Sequence, residues 1–317
     1  MKVFLTGASG YAGFHAALAL TAAGYAVTGV VRRPDTPRLE FLRMQQIKLI
    51  RGDVAEPDSY RAELEQCDAI VHTMLDKKRH FETDRTFFEV IESLSKRPKR
   101  RRLVYTTGVS IIGKADVPIL DETIEPHPQH PLGFRRTLER EAFALKNACT
   151  VVLRPGFIYG MDGFNSVSTD WFAMAEGGEC VFRGDQEKGW SWTHVTDLAD
   201  AYLLAMEAEE SVVEGEIFHI VDERRPKGRD VMRACLDAAG YKGPIIAGEP
   251  KKGDNISMWF DQNGYSSSAK ARQRLGWRSR QAGVIESADR LFAAWTAARP
   301  FNADPALRTR FPQAAEE

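Results

Sequence analysis

Along the first half of the chain, short apolar runs alternate with stretches long enough to hold a helix or a crossover. The runs fall at residues 3–6, 26–31, 47–50, 69–72, 103–106 and 151–153. Each has strand length, whereas the intervening segments 14–23, 87–94 and 138–146 carry helical spacing. Such a repeat predicts a parallel sheet, because consecutive parallel strands need crossovers and right-handed crossovers send helices to both faces. Beyond Arg154 the texture changes. Loops rich in glycine and polar residues at 160–168, 177–189 and 243–253 interrupt helical patterns at 197–207 and 283–298. The pattern predicts an α/β protein with a Rossmann-type doubly wound parallel sheet over residues 1–155. A smaller C-terminal substrate-binding part over 156–317 follows, with some segments returning to the first domain.

Composition narrows the function. The 317 residues carry 43 Lys and Arg against 44 Asp and Glu, a formal net charge of -1. That balance offers no uniform basic field to nucleic acid, and no apolar stretch approaches the roughly 20 residues of a membrane helix. A soluble cytoplasmic protein is expected, with neither nucleic acid nor membrane as partner and with room for a homodimer. Cys67, Cys149, Cys180 and Cys235 lie far apart, without zinc-site spacing or disulfide density, so free thiols and no metal site are expected. The cationic run at 96–102 reads as a solvated helix end and loop, where cations complement the helix dipole.

The turn between the first strand and helix reads Thr6-Gly7-Ala8-Ser9-Gly10-Tyr11-Ala12-Gly13. Gly7 permits a tight turn, Gly10 lets the backbone approach a pyrophosphate, and Gly13 lets the helix lie against the strand. The helix N-terminus then offers N–H groups and a partial positive charge to the anion. The second strand's end selects between dinucleotides, since a carboxylate there would bond the ribose hydroxyls of NAD. Here Val31 is followed by Arg32 and Arg33, and a guanidinium suits the 2′-phosphate of NADP. NADP(H) is therefore expected in preference to NAD(H). Asp53, in Gly52-Asp53-Val54 after the third strand, is placed to accept a hydrogen bond from the adenine amine.

Further along come Val104-Tyr105-Thr106-Thr107, then Leu153-Arg154-Pro155-Gly156-Phe157-Ile158-Tyr159-Gly160, then Thr193-His194-Val195-Thr196-Asp197-Leu198-Ala199. With the glycine turn and Gly52-Asp53-Val54, these segments resemble the extended short-chain dehydrogenase/reductase family, the NAD(P)-dependent epimerase/dehydratases. Leu275-Gly276-Trp277 and a final helix near Trp295 are similar to that family's C-terminal part, so the resemblance spans nearly the whole chain. It implies a cofactor held by Gly7, Ser9, Gly10, Tyr11, Ala12, Gly13, Arg32, Arg33, Asp53, Val54, Thr73, Lys77 and Pro155. It also implies a small-molecule substrate, and makes His194 and Asp197 a structural link between the two parts.

The family's chemistry is general acid/base catalysis beside the nicotinamide. A Tyr transfers the proton, a Lys four residues later lowers the Tyr pKa, and a Ser or Thr positions the substrate oxygen. An unassisted Tyr titrates near 10, so a cation one helical turn away is needed. None of the eight tyrosines has a Lys four positions on. Taking Glu141 as the family's acidic residue puts Gly133 at the Tyr position and Thr137 at the Lys position. Counting back from Gly113, the active Ser falls on Gly108, with Thr107 as the nearest hydroxyl.

Other groups must then supply the chemistry. Thr107, Lys77 on the loop after the fourth strand, and Tyr159 after the Arg-Pro-Gly strand end are the catalytic candidates; His127 and His130 are loop alternatives. Phe134, Phe157, Phe164, Trp171, Trp190, Trp192, Met258 and Trp259 are expected toward the cleft, where a glycine in place of Tyr leaves room for an apolar substrate. Arg272, Arg274 and Arg278 either contact a diphosphate or cover a helix. Two functions follow. One is an NADP(H)-binding oxidoreductase or epimerase/dehydratase-like enzyme, acting on a small organic substrate with a non-standard proton donor. The other is a catalytically silent NADP(H)-binding sensor or interaction protein.

Overall fold

The computed structural model describes residues 1–302 except 77, 78, 80, 114, 128, 129, 131 and 251–262. Seven parallel strands form the central sheet. They are β1 (Lys2–Thr6), β2 (Ala26–Val31), β3 (Lys48–Arg51), β4 (Ala69–His72), β5 (Arg101–Thr106), β6 (Ala148–Pro155) and, much later in the chain, β10 (Glu216–Ile220). Their order is β10-β6-β5-β4-β1-β2-β3. The chain therefore winds outward from β1 to β3 and restarts at β4 on β1's other side, which opens a crevice at the carboxyl ends of β1 and β4.

Helices cover both faces. Against one lie α1 (Tyr11–Ala22), α2 (Pro37–Met44), α7 (Val195–Glu207) and α8 (Glu210–Val213). Against the other lie α3 (Arg61–Glu65), α4 (Phe81–Ser93) and α5 (Phe134–Phe143). Burial on both sides explains why β4, β5 and β6 are buried at every position, as expected for a covered parallel sheet. A third cluster, around Trp171, Phe172 and Trp192, joins α6 (Val167–Gly177), α9 (Gly228–Ala238) and a helix at Ala288–Ala298. Residues of three short strands belong to it, in two small parallel pairs, β7 (Phe157–Tyr159) with β9 (Trp192–His194), and β8 (Val181–Arg183) with the largely exposed β11 (Ile246–Gly248). No helix among the described residues is long and apolar enough to cross a membrane.

Three local expectations are corrected. Arg101 and Arg102 are not in a solvated loop; they begin β5 and are buried. Arg101 donates to the carbonyls of Cys67 at 3.2 Å and Ser95 at 3.1 Å, and Arg102 Nη2 to that of Ala208 at 2.8 Å, so backbone carbonyls draw both heads inward while their stems pack. The helix expected at 138–146 starts earlier and ends sooner, as α5. The edge strand β10 has no counterpart among the expected strands.

Asp197, near the start of α7, ties that helix to the stretch at 277–281. Its buried carboxylate accepts from Ser279 Oγ at 3.0 Å and from the backbone N–H groups of Arg280 and Gln281 at 3.2 Å, while Trp277 Nε1 donates to its carbonyl at 2.7 Å. Asp197→Ala strands three donors, and urea unfolding should show a loss of about 2–4 kcal/mol.

Beside it, buried His194 accepts the N–H of Thr196 on Nδ1 at 3.2 Å. Burial holds the imidazole neutral and pushes its pKa down to about 4. In the unfolded chain it titrates near 6.5. The stability it contributes is therefore complete above pH 6.5 and lost as pH falls through 4, on the order of 3 kcal/mol. Unfolding free energy should fall more steeply between those pH values in the parent than in His194→Gln; equal slopes would refute this.

Candidate dinucleotide and substrate cleft

At the crevice, β1 ends in Thr6 and the chain turns through Gly7 at φ +76°. A Cβ on Gly13 would stand 2.2 Å from the Gly7 carbonyl oxygen, and one on Gly7 would stand 2.6 Å from Thr73 Oγ1, so both approaches require glycine. A Cβ on Gly10 would meet only the Gly7 oxygen, at 3.2 Å, and otherwise point into open space. No side chain caps α1 and no acid occupies its first turn. Its N–H groups and positive dipole end thus face a cradle that an anion can enter, and the residues present fit a dinucleotide pyrophosphate.

The remaining cofactor candidates sit in different settings. Ala12, Thr73 and Pro155 line the cleft, with Thr73 Oγ1 donating to the Thr6 carbonyl at 2.8 Å. Ser9 is half-buried in the turn. The Tyr11 hydroxyl donates to the Gly160 carbonyl and, with His15 Nε2 at 2.9 Å from Asp162, ties α1 to the loop after β7. Arg32 and Arg33 are exposed just beyond β2, and Asp35 lies nearer Arg43, 4.0 Å away. Asp53 accepts from Ala55 N at 3.0 Å and from Arg79 at 3.2 Å, and Val54 is a core residue. Lys77 lies outside the described residues.

Next to the turn is a cavity of about 280 Å³. Its walls come from Thr106 to Ser110 after β5, Pro155 to Ile158 at the β6–β7 junction, and Leu75, Leu120, Arg135, Trp190 and Ser191. Among the described residues Arg135 is the single charged side chain on the wall. Of the expected aromatics, Phe157 and Trp190 line it. Trp171 and Trp192 are core, Phe164 packs with Tyr11 and Val195, and Phe134 packs against Phe81. Met258 and Trp259 are outside the described residues. Arg272 and Arg274 are paired with Glu223 and Glu216, away from the cavity.

Beneath the cavity floor lies Glu139, fully buried on α5. Arg154 grips it with two bonds, Nε at 2.9 Å and Nη2 at 2.5 Å; Thr107 Oγ1 donates at 2.6 Å and Arg136 at 3.4 Å. This corrects the register of the helix. Glu141, taken above as the family's acid, makes a surface pair with Arg85, and Thr137 is exposed. The cleft-facing row holds Arg135 and Glu139. With Glu139 as the acid, the same spacing sets Arg135 at the Lys position and Pro131 at the Tyr position; neither register supplies a phenol.

The catalytic candidates separate accordingly. Thr107 lines the cleft but gives its hydroxyl proton to Glu139. Tyr159 is the clearer correction: it is fully buried behind the wall, donating to the Ala282 carbonyl at 2.8 Å, with Asp222 at 3.4 Å. Burial and the Asp222 charge push its phenol far above the usual value, and it does not line the cavity. His127 is exposed, and His130 Nδ1 accepts from Leu132 N at 3.2 Å while its ring packs over Gly113. Ser110, not anticipated from the sequence, lines the cleft with its Oγ 3.5 Å from where a Gly108 Cβ would stand. The signal was a hydroxyl two residues beyond the glycine. Away from the cleft, Cys149, Glu210 and Glu214 form a group of metal-ligand type, with both carboxylates paired to Arg100.

Removing the Glu139 carboxylate leaves Arg154 buried and unpaired. Glu139→Ala should lower stability by about 3–5 kcal/mol, read by chemical denaturation.

The NAD dependent epimerase/dehydratase family matches residues 3–220. A ketoreductase of Stigmatella aurantiaca, acting on 4-hydroxy-2-methyl-3-oxo-4-farnesyl-3,4-dihydroquinoline-1-oxide, is 24% identical over 77% of this chain and 75% of its own length. The UDP-glucose 4-epimerase of Thermotoga maritima, solved with UDP-glucose, superposes with a TM-score of 0.78 at 18% identity, covering 94% of this chain and 99% of that one. The UDP-glucuronic acid 4-epimerase of Bacillus cereus, solved with UDP-glucuronic acid and NAD, gives 0.77 at 16% identity over 94% and 99%. Both structures share the fold described above. The glycine cradle, the seven-stranded order and the match across most of the chain place this protein in the NAD dependent epimerase/dehydratase family, a family of nicotinamide-dinucleotide-dependent enzymes.

Proposed function

We propose that the chain is an NADP(H)-dependent oxidoreductase acting on a small organic carbonyl or alcohol with an apolar body. The observation that carries this reading is the cavity wall, continuous from the dinucleotide cradle at Ala12 and Thr73 to Phe157 and Trp190, with one charged side chain among the described residues. A sugar nucleotide brings a diphosphate, which calls for several cations, while an apolar carbonyl compound fits this lining. The ketoreductase relative supports a redox outcome.

A bound nicotinamide supplies the hydride. Gly7, Gly10 and Gly13 seat the pyrophosphate with the N-terminus of α1, Arg32 takes the 2′-phosphate, and Asp53 the adenine side. Ser110 positions the substrate oxygen in place of the hydroxyl that Gly108 lacks. With no Tyr or Lys at the family positions, the proton comes from solvent or from the substrate itself. The same lack favours the second reading, a silent NADP(H)-binding protein.

Purified protein mixed with NADPH and a panel of apolar ketones and aldehydes should consume the cofactor, followed by absorbance. Binding without consumption across the panel would favour the silent protein. By calorimetry, Arg32→Ala should weaken NADPH by about 10-fold or more, the worth of a charge-assisted phosphate contact. NADH should be hardly affected; equal losses would remove the NADP preference.

A further inference from the structure

Arg135 is buried at 7% exposure, yet it lines the cavity. Nη2 donates to the Thr106 carbonyl at 2.9 Å, whereas Nε is buried with no partner. Other buried arginines are matched by carboxylates: Arg38 by Asp162, Arg101 by Glu65, Arg154 by Glu139. Arg102 lacks one too, but lies at the far end of β5, away from the cavity. Glu139, one helical turn beyond Arg135, is already occupied by Arg154, Arg136 and Thr107. A buried cation with no carboxylate partner is costly, and a guanidinium side chain on a cavity wall offers a negatively charged oxygen the partner it lacks.

Resting on the oxidoreductase reading above, we propose that Arg135 determines substrate specificity. The cleft takes an apolar molecule carrying one anionic oxygen group, a carboxylate or an enolate, and Arg135 binds that oxygen. Leu75, Val109, Leu120, Phe157 and Trp190 surround the apolar body. A ribose hydroxyl on the cofactor would satisfy the N–H but leave the charge unmatched, which favours the substrate as the partner.

Benzoate and benzamide share a shape and differ in charge. Calorimetry of each, with and without saturating NADP⁺, tests the assignment. Benzoate should bind the parent at least 10-fold more tightly than benzamide. Arg135→Gln should erase that ratio while changing NADP⁺ affinity less than threefold, and Arg135→Lys should keep part of it. Equal binding of the two probes by the parent overturns the proposal without any variant. A ratio preserved in Arg135→Gln, with NADP⁺ weakened 10-fold, overturns it in favour of a cofactor contact. Failure of NADP⁺ to bind removes the dinucleotide reading alone, because the probe ratio on the free protein still decides the role of Arg135.

Discussion

The cleft rests on one buried carboxylate. Glu139 joins the ends of β5 and β6 to α5 by holding Thr107 and Arg154 at once, so the two strands that form the cavity floor are fixed to the helix that walls it. Its position beneath the cavity has an electrostatic consequence as well. Arg154 is matched by Glu139 and Arg136 is held more closely by Glu125, at 2.8 Å, so among the described residues on the wall the cation without a carboxylate partner is Arg135.

The frame was legible because its signals are local. Strands β1, β2, β4, β5 and β6 are each built on a short apolar run, and the glycines at 7 and 13 are demanded by contacts closer than a Cβ allows. What escaped depends on tertiary context. Arg101 and Arg102 look like surface residues until the carbonyls of Cys67, Ser95 and Ala208 are seen waiting for them. Glu139 and Glu141 are two residues apart on one helix, and only packing reveals which faces inward. That ambiguity hid Arg135. Ser110 was overlooked because its relation to Gly108 is spatial, set by the turn after β5.

Sharing a fold with sugar-nucleotide epimerases does not make the cleft the same. The dinucleotide end is built on backbone, where glycine and a helix terminus suffice. The substrate end is built on side chains: here α5 carries no phenol, and an arginine and aromatic rings stand on the wall. Backbone sites persist through sequence change, while side-chain sites are rewritten one residue at a time.

The sheet is completed late. β6 ends at Pro155, but its outer neighbour β10 begins only at Glu216, after the segment that builds β7, β8, β9, α6, α7 and α8. Until that residue emerges from the ribosome, the nascent chain carries β6 as an open edge with unpaired N–H and C=O groups, the kind of surface on which chains join one another. A cut at residue 155 would leave that edge open, because the strand that seals it comes more than sixty residues later in the chain.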